Sequence, residues 1–166
     1  MFNRSTCLSF IVLIAGAVFA SDVDPRVDYG LFAAVTPIGN SSTDLRPAKG
    51  ETLLLQFWAS WCHSCGTIMW DMDELVSQNP GMKYIAVSLD DETSDARNYI
   101  RKHKLFEKYS DRYYIDADKQ FSKSLGIDSV PSILLVDENG KILVKKSGHL
   151  NSADLLKFVS AFRAAH

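Results

Sequence analysis

The chain has 166 residues, 46% of them hydrophobic and 23% charged, with a formal net charge of −2. That is the composition of a soluble globular protein long enough for one domain with a real core. No Lys/Arg cluster is present that could track phosphates, so nucleic acid is not expected as a partner.

The N-terminus stands apart. Arg4 precedes an apolar run from Leu8 to Ala20, which ends Val18-Phe19-Ala20 before the polar Ser21-Asp22-Val23-Asp24. A basic start, a short apolar stretch and small residues at the −3 and −1 positions form the pattern of a secretory signal peptide over residues 1–20, cut after Ala20. The run falls short of the ~20 apolar residues that a spanning helix needs. An uncleaved anchor is the alternative, and membrane contact is expected only in that case. Cys7 precedes the apolar run and would leave with it, so only Cys62 and Cys65 of the three cysteines remain.

Residues 36–50 read as irregular. Thr52–Trp58 is a short, almost wholly apolar run, the pattern of a strand covered on both faces. Beyond Cys62, the residues Cys65, Ile68, Met69, Met72, Leu75 and Val76 recur at helical spacing, with Asp71, Asp73 and Glu74 largely outside that stripe. Asn79-Pro80-Gly81 should end this helix. A second buried strand is expected over Met82–Leu89. A polar helix follows over Thr93–His103, capped by Thr93 or Ser94, and a short one over Asp118–Leu125. Ser132–Val136 and Ile142–Lys146 are expected as a strand pair around Asp137-Glu138-Asn139-Gly140, since Asn-Gly is a strong hairpin signal. Asn151–Arg163 is amphipathic, with Asn151 or Ser152 as its cap. The order predicts an α/β fold, a mixed sheet with helices on both faces.

Cys62 and Cys65 fall where the first buried strand gives way to its helix. A helix N-terminus offers unpaired N–H groups and a partial positive charge, which favour a thiolate. Cys62, at or just before the first turn, is the candidate nucleophile, and the inward-facing Cys65 the candidate resolving thiol. A structural staple is a weak reading, because so short a loop gains little from closure. A zinc site would need two more ligands, and no second C-x-x-C or H-x₃₋₅-H pair is present. Val130-Pro131-Ser132 precedes the later apolar strand. Pro131 is either a plain strand-entry proline or a cis-proline whose neighbouring backbone holds an extended substrate.

Phe57-Trp58-Ala59-Ser60-Trp61-Cys62-x-x-Cys65, the distant Val130-Pro131-Ser132 and the Asp137–Lys141 hairpin together resemble the thioredoxin superfamily, and within it the exported TlpA/ResA-like branch. The resemblance covers roughly residues 30–165. It divides the chain into a signal peptide (1–20), a leading irregular segment with a possible edge strand (21–50) and a thioredoxin-like domain (51–166). It implies a thiol–disulfide oxidoreductase without a cofactor, acting on protein thiols or disulfides and served by an upstream redox donor or acceptor. Cys62 would attack, Cys65 resolve, and Pro131 be the cis-proline beside Val130. The branch also has an extra strand-and-helix stretch before that proline. Trp61 would pack beside the disulfide, although plain core packing is equally compatible.

The departures from the family pattern matter. Ser64 stands where members commonly have proline, so it restores an N–H and adds a hydroxyl near the Cys62 sulfur. His63, when protonated, would add positive charge. Both would favour the Cys62 thiolate and a more oxidising couple, unless His63 points into water. Gln56 replaces the buried Asp of thioredoxin, and Ile68 a Glu common in the branch, so no carboxylate is placed to take the Cys65 proton. Trp70 is expected to cap the core edge or to form part of a partner surface. The leading expectation is an exported, periplasmic reductase of secreted or cytochrome-maturation thiols. A disulfide oxidase or isomerase, or a redox-inert chaperone of the same fold, are the alternatives.

Overall fold

Strand β2 (Thr52–Trp58) is buried along its whole length, as its unbroken apolar run requires of a central strand. It belongs to a computed structural model that describes residues 25–39, 44–105 and 111–166. The signal-peptide reading of residues 1–20 lies outside them. In chain order the elements are a 3₁₀ turn (Tyr29–Ala34), β1 (Thr36–Pro37), β2, α1 (Cys65–Gln78), β3 (Met82–Ser88), α2 (Thr93–Lys102), β4 (Tyr113–Ile115), α3 (Gln120–Ser124), β5 (Ser132–Val136), β6 (Ile142–Ser147) and α4 (Ser152–Ala164). The six strands form one mixed sheet in the order β1-β4-β3-β2-β5-β6. β2 runs parallel to β3 and antiparallel to β5, so its C-terminal end lies between the other two central strands.

Alternation along β2 divides the core in two. Leu54 and Trp58 face a layer built from α1, α2 and α4, with Met69, Met72, Ile100 and Phe158 at its centre. Leu53, Leu55 and Phe57 face a second layer closed by α3 and the 3₁₀ turn, where Phe121 packs against Phe32 and Phe57. The leading segment therefore contributes Val27, Phe32, Val35 and Leu45 to the core. Its β1 pairs with β4 at the sheet edge, Thr36 opposite Ile115.

Most elements expected from periodicity are present within a residue or two, and the differences have physical causes. Helix α2 is capped at Glu92, in extended conformation and without a side-chain cap bond, so neither Thr93 nor Ser94 serves. Helix α3 starts later than Asp118, because Lys119 adopts a left-handed φ of 58° and the buried Asp116 carboxylate takes the Phe121 and Ser122 N–H groups. Asp73, expected outside the apolar stripe, is buried and paired with Arg112 at 2.7 Å. Helix α4 carries a full capping box, Asn151 and Asp154 each accepting the other's N–H.

Candidate active site

Cys62 and Cys65 form a disulfide with their Cα atoms 5.5 Å apart. Cys65 is the first residue of α1 and is fully buried, whereas Cys62, in the loop just ahead, keeps 6% of its surface exposed. The first turn of α1 holds no acidic residue to oppose the positive end of the helix dipole. Cys62 donates its N–H to the Ala59 carbonyl at 3.1 Å. Its own carbonyl accepts from the Cys65 N–H at 3.4 Å and from the Tyr99 hydroxyl at 3.2 Å.

The loop is anchored from below by a carboxylate that sequence reading did not single out. Asp90 is 4% exposed and lies just past β3. It accepts from the Ser60 N–H at 3.0 Å and from the Ser60 hydroxyl at 2.7 Å. It also accepts from the Ser88 hydroxyl at 2.6 Å, and its backbone carbonyl takes Lys119 Nζ at 2.9 Å. One buried anion thus fixes the residue two places before Cys62. Its only sequence signal was an acidic residue at the C-terminal end of a buried strand, a place where sites gather in open sheets.

Gln56 is fully buried in β2, between Leu54 and Trp58 and on the face that packs against the cysteines. Its carbonyl accepts from the Tyr84 hydroxyl at 2.6 Å, while its amide nitrogen has no partner among the described residues. Burial pushes the Tyr84 hydroxyl well above its usual range, so it stays a protonated donor. Ile68 is ordinary core. Asp73 cannot stand in as a base for Cys65. It lies eight residues along α1, about 12 Å at the helical rise, and is held by Arg112.

Cys65 must lose its proton before it can act as a thiolate, and neither Gln56 nor Ile68 supplies a carboxylate to take it. The resolving step should therefore be slow near neutrality and should climb from pH 6 to 9 in stopped-flow measurements. Gln56→Asp should raise the rate at pH 7 by about tenfold by supplying a general base. A flat profile would contradict this.

The other residues singled out from sequence fall in two groups. His63 and Ser64 are exposed, with the Ser64 hydroxyl 3.9 Å from the Cys62 sulfur. The Val130–Pro131 peptide bond is cis, and the Pro131 carbonyl accepts from the Gly148 N–H at 2.8 Å. Trp61 is 66% exposed, which overturns core packing: the loop turns its ring outward because Asp90 fixes Ser60 inward. Trp61 instead lines a cavity of about 230 Å³ together with Leu89, Ile127 and Val130, with Lys119 and Lys123 also in its wall. Trp70 is also exposed, at 44%, so it does not close the core edge. Among the described residues no group of three or more His, Cys, Asp or Glu gathers as a metal site, and no helix is long and apolar enough to cross a membrane.

Comparison with known proteins agrees with this geometry. A family model described as thioredoxin-like matches residues 50–142. The thiol-disulfide oxidoreductase ResA of Bacillus thuringiensis subsp. konkukian is 25% identical over 127 residues, covering 75% of this chain and 71% of that protein. The thiol:disulfide interchange protein DsbE of Vibrio cholerae is 32% identical over 104 residues, covering 63% of this chain and 54% of that one. Among solved structures, a Chlorobium tepidum protein described as a thiol:disulfide interchange protein DsbE superposes with a TM-score of 0.60 at 28% identity, covering 70% of this chain and 80% of that chain. A matched domain over more than half the chain, with a disulfide at the start of its first helix, makes this chain a member of the thioredoxin-like family, a thiol–disulfide oxidoreductase of the ResA/DsbE type.

Proposed function

We propose that the protein is an exported reductase of protein disulfides in which Cys62 attacks and Cys65 resolves. The observation that carries this is the asymmetry of the pair: Cys62 keeps 6% of its surface exposed and Cys65 is wholly enclosed. In the reduced protein the Cys62 thiolate attacks one sulfur of a substrate disulfide. That bond breaks, one substrate thiolate leaves and takes a proton, and a mixed disulfide remains. Cys65 then gives up its proton and attacks the Cys62 sulfur, expelling the second substrate thiolate and closing the Cys62–Cys65 bond. Two electrons pass to the substrate, and an upstream dithiol donor restores the pair.

Substrate docking falls to the cavity wall that Trp61 shares with Val130. The first adjoins Cys62 in sequence and the second Pro131, so an extended segment held there by strand-like pairing at Val130 would present its sulfur to Cys62. Export rests on the Leu8–Ala20 pattern. Secreted or cytochrome-maturation thiols are the substrate class this reading favours.

The charge around Cys62 favours this direction. The exposed His63 is screened by water, and the Ser64 hydroxyl stands at the long limit for a bond to sulfur. Neither supplies the strong thiolate stabilisation that makes a couple oxidising. Equilibration with glutathione buffers should place the pair at or below the value of thioredoxin, about −270 mV. A potential near that of protein disulfide isomerase, about −180 mV, or higher would overturn the reductase reading.

A further inference from the structure

Tyr99 of α2 and His103, the residue that caps the C-terminus of α2, lie against the start of α1. The Tyr99 ring packs at a tilt against Trp58, with centroids 5.2 Å apart, and against His103, at 4.3 Å. A Cβ on Gly66 would stand 3.0 Å from the Tyr99 hydroxyl and 3.1 Å from His103 Nδ1. Any larger residue here would make Tyr99 and His103 give way by a few tenths of an ångström, and the close approach delivers the Tyr99 hydroxyl to the Cys62 carbonyl at 3.2 Å.

We propose that Tyr99 is a positioning residue of the redox couple, its hydroxyl holding Cys62 over Cys65 when the disulfide is open, with His103 and Gly66 fixing the ring. The inference rests on the thiol–disulfide reading above. Once the S–S bond is broken, Cys65 stays in place, because it is helical and enclosed. Cys62 is the member with freedom to move. Its remaining backbone ties are the bond to Ala59, the long contact of its carbonyl with the Cys65 N–H, and Tyr99. Of these, Tyr99 alone comes from another element and is set by tertiary packing. Burial raises the Tyr99 hydroxyl above its usual range, so it remains a donor across the working pH. A tie of this kind raises the effective concentration of one thiol at the other, which stabilises the disulfide and speeds its closure.

Tyr99→Phe keeps the stack and removes only the hydroxyl. In glutathione equilibration of the full-length protein, the constant for closing the disulfide should fall about fivefold, the size of one hydrogen bond's net contribution, or about 20 mV toward a more oxidising couple. Gly66→Ala, which pushes the hydroxyl away, should shift it the same way. Urea unfolding supplies a readout that a merely structural residue would not move: Tyr99→Phe should cost the oxidised protein more stability than the reduced one. An unchanged closing constant in Tyr99→Phe, or equal loss in both redox forms, overturns the proposal. Failure of the wild-type pair to exchange with glutathione at all would instead overturn the oxidoreductase reading.

Discussion

Cys62→Ser should abolish thiol–disulfide exchange, lowering insulin reduction by about 10³-fold or more, because Cys65, the other described thiol, is wholly enclosed. Cys65→Ser should behave differently. It keeps the attacking thiolate and loses only the step that releases the substrate, so turnover stops while a single attack survives. The prediction separates roles that the oxidised structure presents as one bond. If the two serine variants were equally unreactive toward a disulfide peptide, the assignment of attacker and resolver from exposure would be wrong.

Asp90→Ala should produce the largest loss of stability outside the hydrophobic core. The carboxylate, itself 4% exposed, accepts from the Ser60 N–H, the Ser60 hydroxyl and the Ser88 hydroxyl. Truncation leaves the buried Ser88 hydroxyl and the half-buried Ser60 donors without this partner, a cost of about 2 kcal/mol. It should also release the Ser60–Trp61 segment, so activity should fall with stability rather than independently of it. Urea denaturation reads the first effect and insulin reduction the second. A loss under about 1 kcal/mol would mean that other contacts fix the loop, contrary to the anchoring described.

What the sequence disclosed, and what it withheld, divides along the range of the forces involved. The wholly apolar Thr52–Trp58 run and the helical stripe from Cys65 to Leu75 encode local burial, and both elements form with nearly the expected bounds. The C-x-x-C spacing at their junction disclosed the redox pair for the same reason: it depends on one turn of helix. The Asn151 cap was equally local. The rest depends on side chains distant in sequence. Asp90 is 30 residues from Ser60, and nothing in the pattern around it marks it as the anchor of the loop. Tyr99 is 37 residues from Cys62 and belongs to a helix that reads simply as polar. Asp73 reads as a solvent-facing acid until Arg112 arrives from beyond α2. Strand β4 spans only three residues, too few for a periodicity to show, and its place in the sheet is set by pairing with β3 and β1.

The same division explains Trp61. Its aromatic neighbours suggest a core residue, yet Ser60 is drawn inward by Asp90 and Cys62 by its helix partner, leaving the ring between them on the surface. An exposed aromatic next to the redox pair serves recognition better than stability.

The central claim is that Cys62 forms the mixed disulfide and Cys65 resolves it. The most direct measurement is to react the reduced Cys65→Ser protein with a disulfide-containing peptide and to map the trapped adduct by mass spectrometry. The account predicts a stable one-to-one adduct bonded through Cys62, and none from Cys62→Ser under the same conditions. An adduct carried by Cys65 in the Cys62→Ser protein, formed as fast, would contradict it.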